Sequence, residues 1–275
     1  MPSSDRLTPP EEWPVGDGVG HKTALVFVTV LGVACVPIGF GFAAIGKPAA
    51  LKYALLLAAL FLLTAAFGLV TRVRPQHRAD DIAVTVRDGR PVTEIRYSRA
   101  AFTIIAALVA CLATICALAA WDFASAQGVP AASVGMVFFG LATLFFLSFF
   151  VLAALRRLKR GYIVLSQQGI HHRGRAFFSF LPWEAFAGVK ASYNGTPEVL
   201  VIAYANAAWE RRQFGGVWKL DKLPPVAMIE IDTTAIAVDR TLVYHLVRFY
   251  VENPTARAEL GTEASLHRIR TRSFQ

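Results

Sequence analysis

The chain is 275 residues long, 55% hydrophobic and only 17% charged, with a formal net charge of +9 and a mean hydropathy of +0.47. Soluble globular domains carry nearer a quarter charged residues and fewer apolar ones, so an ordinary cytosolic enzyme and an intrinsically disordered chain are both excluded. Three cysteines are too few for a disulfide-stapled secreted domain.

The excess apolar content is concentrated in four runs that contain no Asp, Glu, Lys, Arg or His: Thr23 to Ile45, Tyr53 to Val70, Ala101 to Trp121 and Ala131 to Leu155. At about 1.5 Å per residue the first reaches roughly 34 Å, enough for a hydrocarbon core of about 30 Å. A backbone inside lipid must satisfy its own hydrogen bonds, so each run is expected to be a transmembrane helix. Residues 1–22 are polar and include four acids, unlike the short basic start of a cleaved signal, and the first helix is expected to be retained. Pro37 is expected to kink it. The pairs Gly39 and Ala43, Ala106 and Ala110, and Ala113 and Ala117 have the small-xxx-small spacing that permits close packing. Cys35, Cys111 and Cys116 all lie inside runs and read as small packing residues. No ionisable side chain lies within a run, which favours an anchoring or assembly bundle over a transporter.

Cations set the topology. Residues 71–99 hold Arg72, Arg74, Arg78, Arg87, Arg90, Arg96 and Arg99, and the fourth run ends on Arg156, Arg157, Leu158, Lys159 and Arg160. The first connection has only Lys47 and Lys52, and the third has Asp122 and no cation. The positive-inside rule then places both termini and the central loop in the cytoplasm of a plasma membrane. The expected organisation is a polar N-terminus (1–22), a first transmembrane hairpin (23–71), a cytoplasmic loop (72–100), a second hairpin (101–155), a cytoplasmic domain (156–260) and a basic flexible tail (261–275) that includes Arg268, Arg270 and Arg272.

The central loop carries two β-branched runs, Ile82–Arg87 and Pro91–Tyr97, around Asp88-Gly89, a strong hairpin cue. An isolated hairpin is marginal in water, so it must pack on lipid headgroups or on the C-terminal domain. In that domain, Tyr162–Ser166, Ile170–Arg173 and Arg175–Phe180 read as strands, and Pro182–Phe186 as one helical turn. Val189–Tyr193 and Val199–Tyr204 form a second hairpin around Asn194-Gly195, and Ala227–Asp232 is a further strand. From Asp239, a reasonable N-cap, Leu242, Leu246 and Phe249 fall on one helical face with Val243, Val247 and Tyr250 beside it. The helix should stop at Asn253 before Pro254, which opens a short helix through Leu260. The fold class expected is therefore four transmembrane helices plus an α+β module, a small β-barrel or sandwich capped by a C-terminal helix.

Leu165-Ser-Gln-Gln-Gly-Ile170, a strand, and then Leu181-Pro-Trp-Glu-Ala-Phe-Ala-Gly-Val189 resembles bacterial pleckstrin-homology-like domains. Tyr250-Val-Glu-Asn-Pro-Thr-Ala-Arg-Ala-Glu-Leu260 is similar to the close of actinobacterial membrane proteins that carry such a module. The resemblance covers about residues 161–260 and departs from the pattern at Phe186 and over residues 206–223. It implies a fold and a membrane setting, and no single activity.

The candidate sites follow from chemistry. Arg156, Arg157, Lys159 and Arg160, joined by Arg173 and Arg175, form a cationic set suited to anionic lipid headgroups, each worth about 1 kcal/mol near the surface. Topology-setting charge explains the same cluster. Trp209, Arg211, Arg212, Phe214 and Trp218 form an aromatic and basic stretch that either receives a partner protein or membrane interface or covers an open end of the barrel. His171 and His172 are adjacent on a strand and point to opposite faces, so they are not expected to chelate one metal. His245 reads as a packed or surface residue. No HExxH, P-loop or GxSxG occurs, so no catalytic residues, metal or cofactor are assigned, and nothing supports nucleic acid as a partner. The function expected is a membrane scaffold or regulatory accessory protein whose module binds a partner protein or anionic lipid, in a setting such as cell-envelope assembly. The alternative is a small enzyme or translocator acting on lipids through Asp80, Asp81 or His171.

Overall fold

Four long apolar helices and a sheet-rich region make up two separate units of the chain in the computed structural model. It describes residues 7–14, 19–73, 81–126, 130–214, 216–218, 220–221 and 223–274.

The helical unit holds α1 (Val19–Ala44), α2 (Pro48–Gly68), α3 (Arg99–Ser125) and α4 (Pro130–Ala154), each long and apolar enough to cross a membrane. Pro37 lies inside α1 without ending it. Large apolar side chains such as Phe138 and Leu141 remain more than 60% exposed, an arrangement costly in water and neutral in lipid. Packing between α1 and α2 depends on small residues, since a Cβ at Gly39 would lie 2.6 Å from that of Ala54. Of these four helices α3 is the most buried. Its Cys111 thiol donates to the Leu56 carbonyl at 3.3 Å, and Phe102 and Phe123 meet Phe149 and Phe139 of α4. At the helix ends, Lys52 Nζ lies 2.6 Å from one Asp122 oxygen while the Tyr53 hydroxyl donates to the other at 2.7 Å. These two connection charges thus tie α2 to α3.

The second unit is assembled from three stretches of chain, residues 7–14, 81–99 and 157–274. Its larger sheet contains β1 (Ile82–Arg87), β2 (Arg90–Arg96), β3 (Tyr162–Leu165), β4 (Gly169–Arg173), β5 (Phe177–Pro182) and β8 (Glu210–Gln213), in the spatial order β1-β2-β3-β4-β5-β8. The smaller sheet contains β6 (Phe186–Tyr193), β7 (Pro197–Ala203) and β9 (Met228–Asp232), and every pairing is antiparallel. Asp88 and Gly89 both have positive φ, as the tight turn between β1 and β2 demands. The hairpin does not stand alone: Glu94 pairs with Val164 and Ile95 with Ile163, so β2 continues into the C-terminal sheet.

Ile95, Ile163, Leu165, Leu181, Val201 and Ile231 from both sheets share one core with α5 (Arg240–Glu252). The stripe expected on α5 is the buried one, and the Asp239 carboxylate accepts from the Thr241 amide at 2.9 Å as its N-cap. The helix ends at Asn253, and Pro254–Glu259 continues as a 3-10 segment.

Three features depart from expectation. Residues 210–213, read as loop, form edge strand β8; all four are exposed, so no hydrophobic period marks them. The tail expected to be flexible carries α6 (Glu263–Thr271), which buries Leu266 and Ile269, while Arg268 binds the Glu259 carboxylate at 2.5 Å. The polar N-terminus also docks. Trp13 is buried, its indole N–H donating to the Ser192 carbonyl at 3.0 Å and its ring meeting Tyr244 edge-on. Trp13→Phe keeps the ring contact and removes the bond. It is expected to lower stability by about 1–2 kcal/mol, read as a lower denaturant midpoint for the full chain in detergent.

Candidate functional site

Strand alternation builds the site. Successive side chains point to opposite faces of a sheet, and the registers put Arg96, Tyr162, Arg173, Phe178 and Arg212 in one row across the outer face of the larger sheet. Glu94, Val164, His171, Phe180 and Glu210 form the neighbouring row. On this face opens a cleft of about 450 Å3, with Arg87, Asp88 and Arg90 at the hairpin end and Tyr162, His171, Phe178 and Phe180 along its walls.

Glu94 organises the cationic end. One of its oxygens accepts from Arg87 at 2.6 Å and the other from Arg96 at 2.9 Å. Burial pushes this carboxyl up, but the two guanidiniums outweigh it and hold the group below the ordinary range. Arg87 also lies 4.4 Å over the Tyr162 ring. Arg90 projects from the turn and is exposed. At the other end His171 stacks on Phe180 at 4.2 Å, and burial lowers its pKa against the smaller opposing pull of Asp88 and Glu210. The cleft therefore offers an exposed guanidinium beside an aromatic wall, chemistry suited to a carboxylate or phosphate attached to an apolar group.

The two histidines do face opposite ways. His172 is buried in the core, its Nε2 2.6 Å from the Tyr97 hydroxyl, and burial drops its pKa to about 3. Half-buried His245 meets the carbonyl of Thr8 at 2.9 Å.

Of the cationic set read from sequence, Arg156, Arg157 and Lys159 are exposed. The other three use their charges inside the domain. Arg160 donates to the Tyr97 carbonyl and lies 3.6 Å from Asp81. Arg173 is buried; it donates to the carbonyls of Phe177 and Arg157 and lies 4.1 Å over Phe214. Arg175 binds Asp221 through both its backbone amide and its guanidinium. A lipid headgroup at these three would have to displace their partners.

The aromatic stretch is divided as well. Trp209 donates to the Ser179 hydroxyl at 2.7 Å beneath Arg211, while Phe214 sits between Arg173 and Arg212. These two rings cover the domain, and Trp218 is half-buried. Arg211 and Arg212 are the exposed members. Asp80 lies outside the described residues. Asp81 and His171 have different partners, Arg160 and Phe180. Among the described residues no group of three His, Cys, Asp or Glu side chains could hold a metal ion.

The outer face of the smaller sheet has the opposite charge. Glu198 lies directly across from Asp232, and Glu230 is one step along the same face beside Leu200. Ile202 and Met228 extend this face with apolar surface, and Ile202 is exposed. Among the described residues no Lys or Arg pairs with these three acids. Burial first, and then their neighbouring carboxylates, raise the pKa of both Glu198 and Glu230.

Neither cleft nor acidic face was singled out by the sequence, because each depends on pairings between distant strands. Alternation at Tyr162, Val164 and Ser166 and at Phe178 and Phe180 was the available signal. No protein-family model, curated protein or solved structure matches the chain.

Proposed function

We propose that the chain is an integral membrane scaffold or accessory protein whose sheet-rich module, on the cytoplasmic side, binds a partner protein or anionic lipid through the cleft face. The observation that carries this reading is the assembly of one folded unit from residues 7–14, 81–99 and 157–274, with two apolar helices in each interval between them. Segments that share a core must lie on the same side of a membrane, and two spans between each pair return the chain to that side. The cations flanking the helices, including exposed Arg72, Arg156, Arg157 and Lys159, favour the cytoplasm for that side. Many short strands, the 3-10 turn Trp183–Ala185 and the covering helix α5 support a pleckstrin-homology-like reading of the module.

Purification of the tagged full chain from its native membrane in mild detergent tests the proposal. A stoichiometric protein, or an enriched anionic lipid, that is lost in the Arg90→Glu variant is the expected result. Recovery of a monomeric chain with neither would overturn it.

A further inference from the structure

We infer that this domain associates with itself head to tail, the cleft face of the larger sheet in one copy receiving the acidic outer face of the smaller sheet in another. The inference rests on the scaffold reading and deepens it by naming a second copy of the chain as the partner.

Complementary charge is the first argument. Arg87 and Arg90 stand exposed at one end of the cleft and Arg212 on the same sheet face, so exposed guanidiniums outnumber the exposed carboxylates of Asp88 and Glu210 there. Glu198, Glu230 and Asp232 share one face of the smaller sheet, where they outnumber the exposed Lys190 across from Leu200, and among the described residues no cation forms an ion pair with them. Three half-buried carboxylates side by side destabilise one another, and a guanidinium brought against them relieves that cost. Apolar surface agrees with the charges. Leu200, Ile202 and Met228 lie beside the acids, while Phe178, Phe180 and Tyr162 lie beside Arg90.

The two surfaces differ and both face away from the shared core, so contact between them is heterologous. Each copy that uses its cleft still presents its acidic face, and association continues into rows unless the rotation closes a ring. Tethering copies to one membrane raises their effective concentration and lets a modest contact suffice. A scaffold that propagates through its own module needs no other component to form an array.

The test uses the full chain in mild detergent at low salt, followed by size-exclusion chromatography with light scattering. Wild type is expected to form species beyond the monomer that grow with concentration and dissolve as salt is raised. Arg90→Glu and Glu230→Lys, each checked for an unchanged circular dichroism spectrum, are each expected to weaken association about tenfold or more. In an equimolar mixture the intact cleft of one variant meets the intact acidic face of the other, and the two exchanged faces are complementary in turn, so longer species in which the variants alternate are expected. The double variant, with both charges exchanged, should recover the longer species. A wild type that stays monomeric at every concentration overturns the inference, as does a mixture of folded variants that stays monomeric. Association that appears only on adding phosphatidylglycerol means that the cleft reads lipid and the self-contact falls. If wild type alone is monomeric but retains another protein that Arg90→Glu loses, the scaffold reading stands and this inference fails by itself.

Discussion

Gly261→Ala is expected to destabilise the sheet-rich domain by about 3 kcal/mol or more, combining a left-handed backbone that L-residues disfavour with overpacking against main chain. Gly261 has φ +84°, and a Cβ there would lie 2.3 Å from the Pro91 carbonyl oxygen and 2.8 Å from the Val92 nitrogen. Neither atom can move without shifting β2, whose Val92, Thr93 and Ile95 are buried. The Gly261 amide donates to the Thr93 hydroxyl at 3.0 Å, and that hydroxyl lies 3.0 Å from the hydroxyl of Ser265. A displaced residue 261 therefore breaks the buried link that ties the hairpin between the two pairs of apolar helices to α6. Gly195→Ala is the control. Its φ is +73° but a Cβ there meets open space, so only the backbone cost of about 1 kcal/mol applies. Denaturant unfolding of both variants in detergent, followed by tryptophan fluorescence, measures the gap between them. Equal losses would show that the contact with β2 does not matter.

How far this architecture is legible in the sequence depends on whether a signal is local. The four apolar helices, the Asp88-Gly89 turn and α5 are each written in consecutive residues, and each occurs where the pattern puts it. The Asp239 cap and the stop at Asn253 belong to the same class. Trp13, β8 and α6 are different. Trp13 stands alone among polar residues and is buried only because β6 and α5 leave a place for its indole. Strand β8 reads Glu-Arg-Arg-Gln, with no apolar period, and exists through its pairing with β5. Helix α6 buries Leu266 and Ile269, too short a stripe to stand out beside three arginines. The cleft shows the same limit. Arg90 comes from the central loop and Phe180 from the C-terminal region, and only the succession β2-β3-β4-β5 brings them to one face. Of the six cations read as a cluster along the chain, Arg160, Arg173 and Arg175 have partners inside the domain, because a guanidinium near a core reaches carbonyls and carboxylates before it reaches solvent.

Acid should weaken the domain through His172. The imidazole sits in the core against Tyr97 and Phe177, and its pKa falls from 6.5 to about 3 because burial penalises the charged form. A group whose folded pKa is depressed binds fewer protons folded than unfolded, so its stabilising contribution is complete above about pH 6.5 and is lost as the pH falls. At 1.36 kcal/mol per pH unit the loss reaches about 2 kcal/mol at pH 5 and about 3 kcal/mol at pH 4. Other groups titrate over the same range. His171, lowered by burial, acts in the same direction. Glu94 and Glu259, held down by their arginines, add losses below about pH 4.5. Glu198 and Glu230, both raised, oppose these losses because protonation relieves them. The difference between wild type and His172→Gln removes every shared contribution. His172→Gln is expected to be the less stable protein at pH 7, where it lacks the packed imidazole, and to close that gap by about 2 kcal/mol on going to pH 5. Denaturant unfolding of both chains in detergent across this range reads the difference. A gap that stays constant with pH would mean that His172 takes up its proton in the folded state. The core would then open around the contact between Tyr97 and His172, the point at which the central hairpin and the C-terminal strands share a buried polar bond.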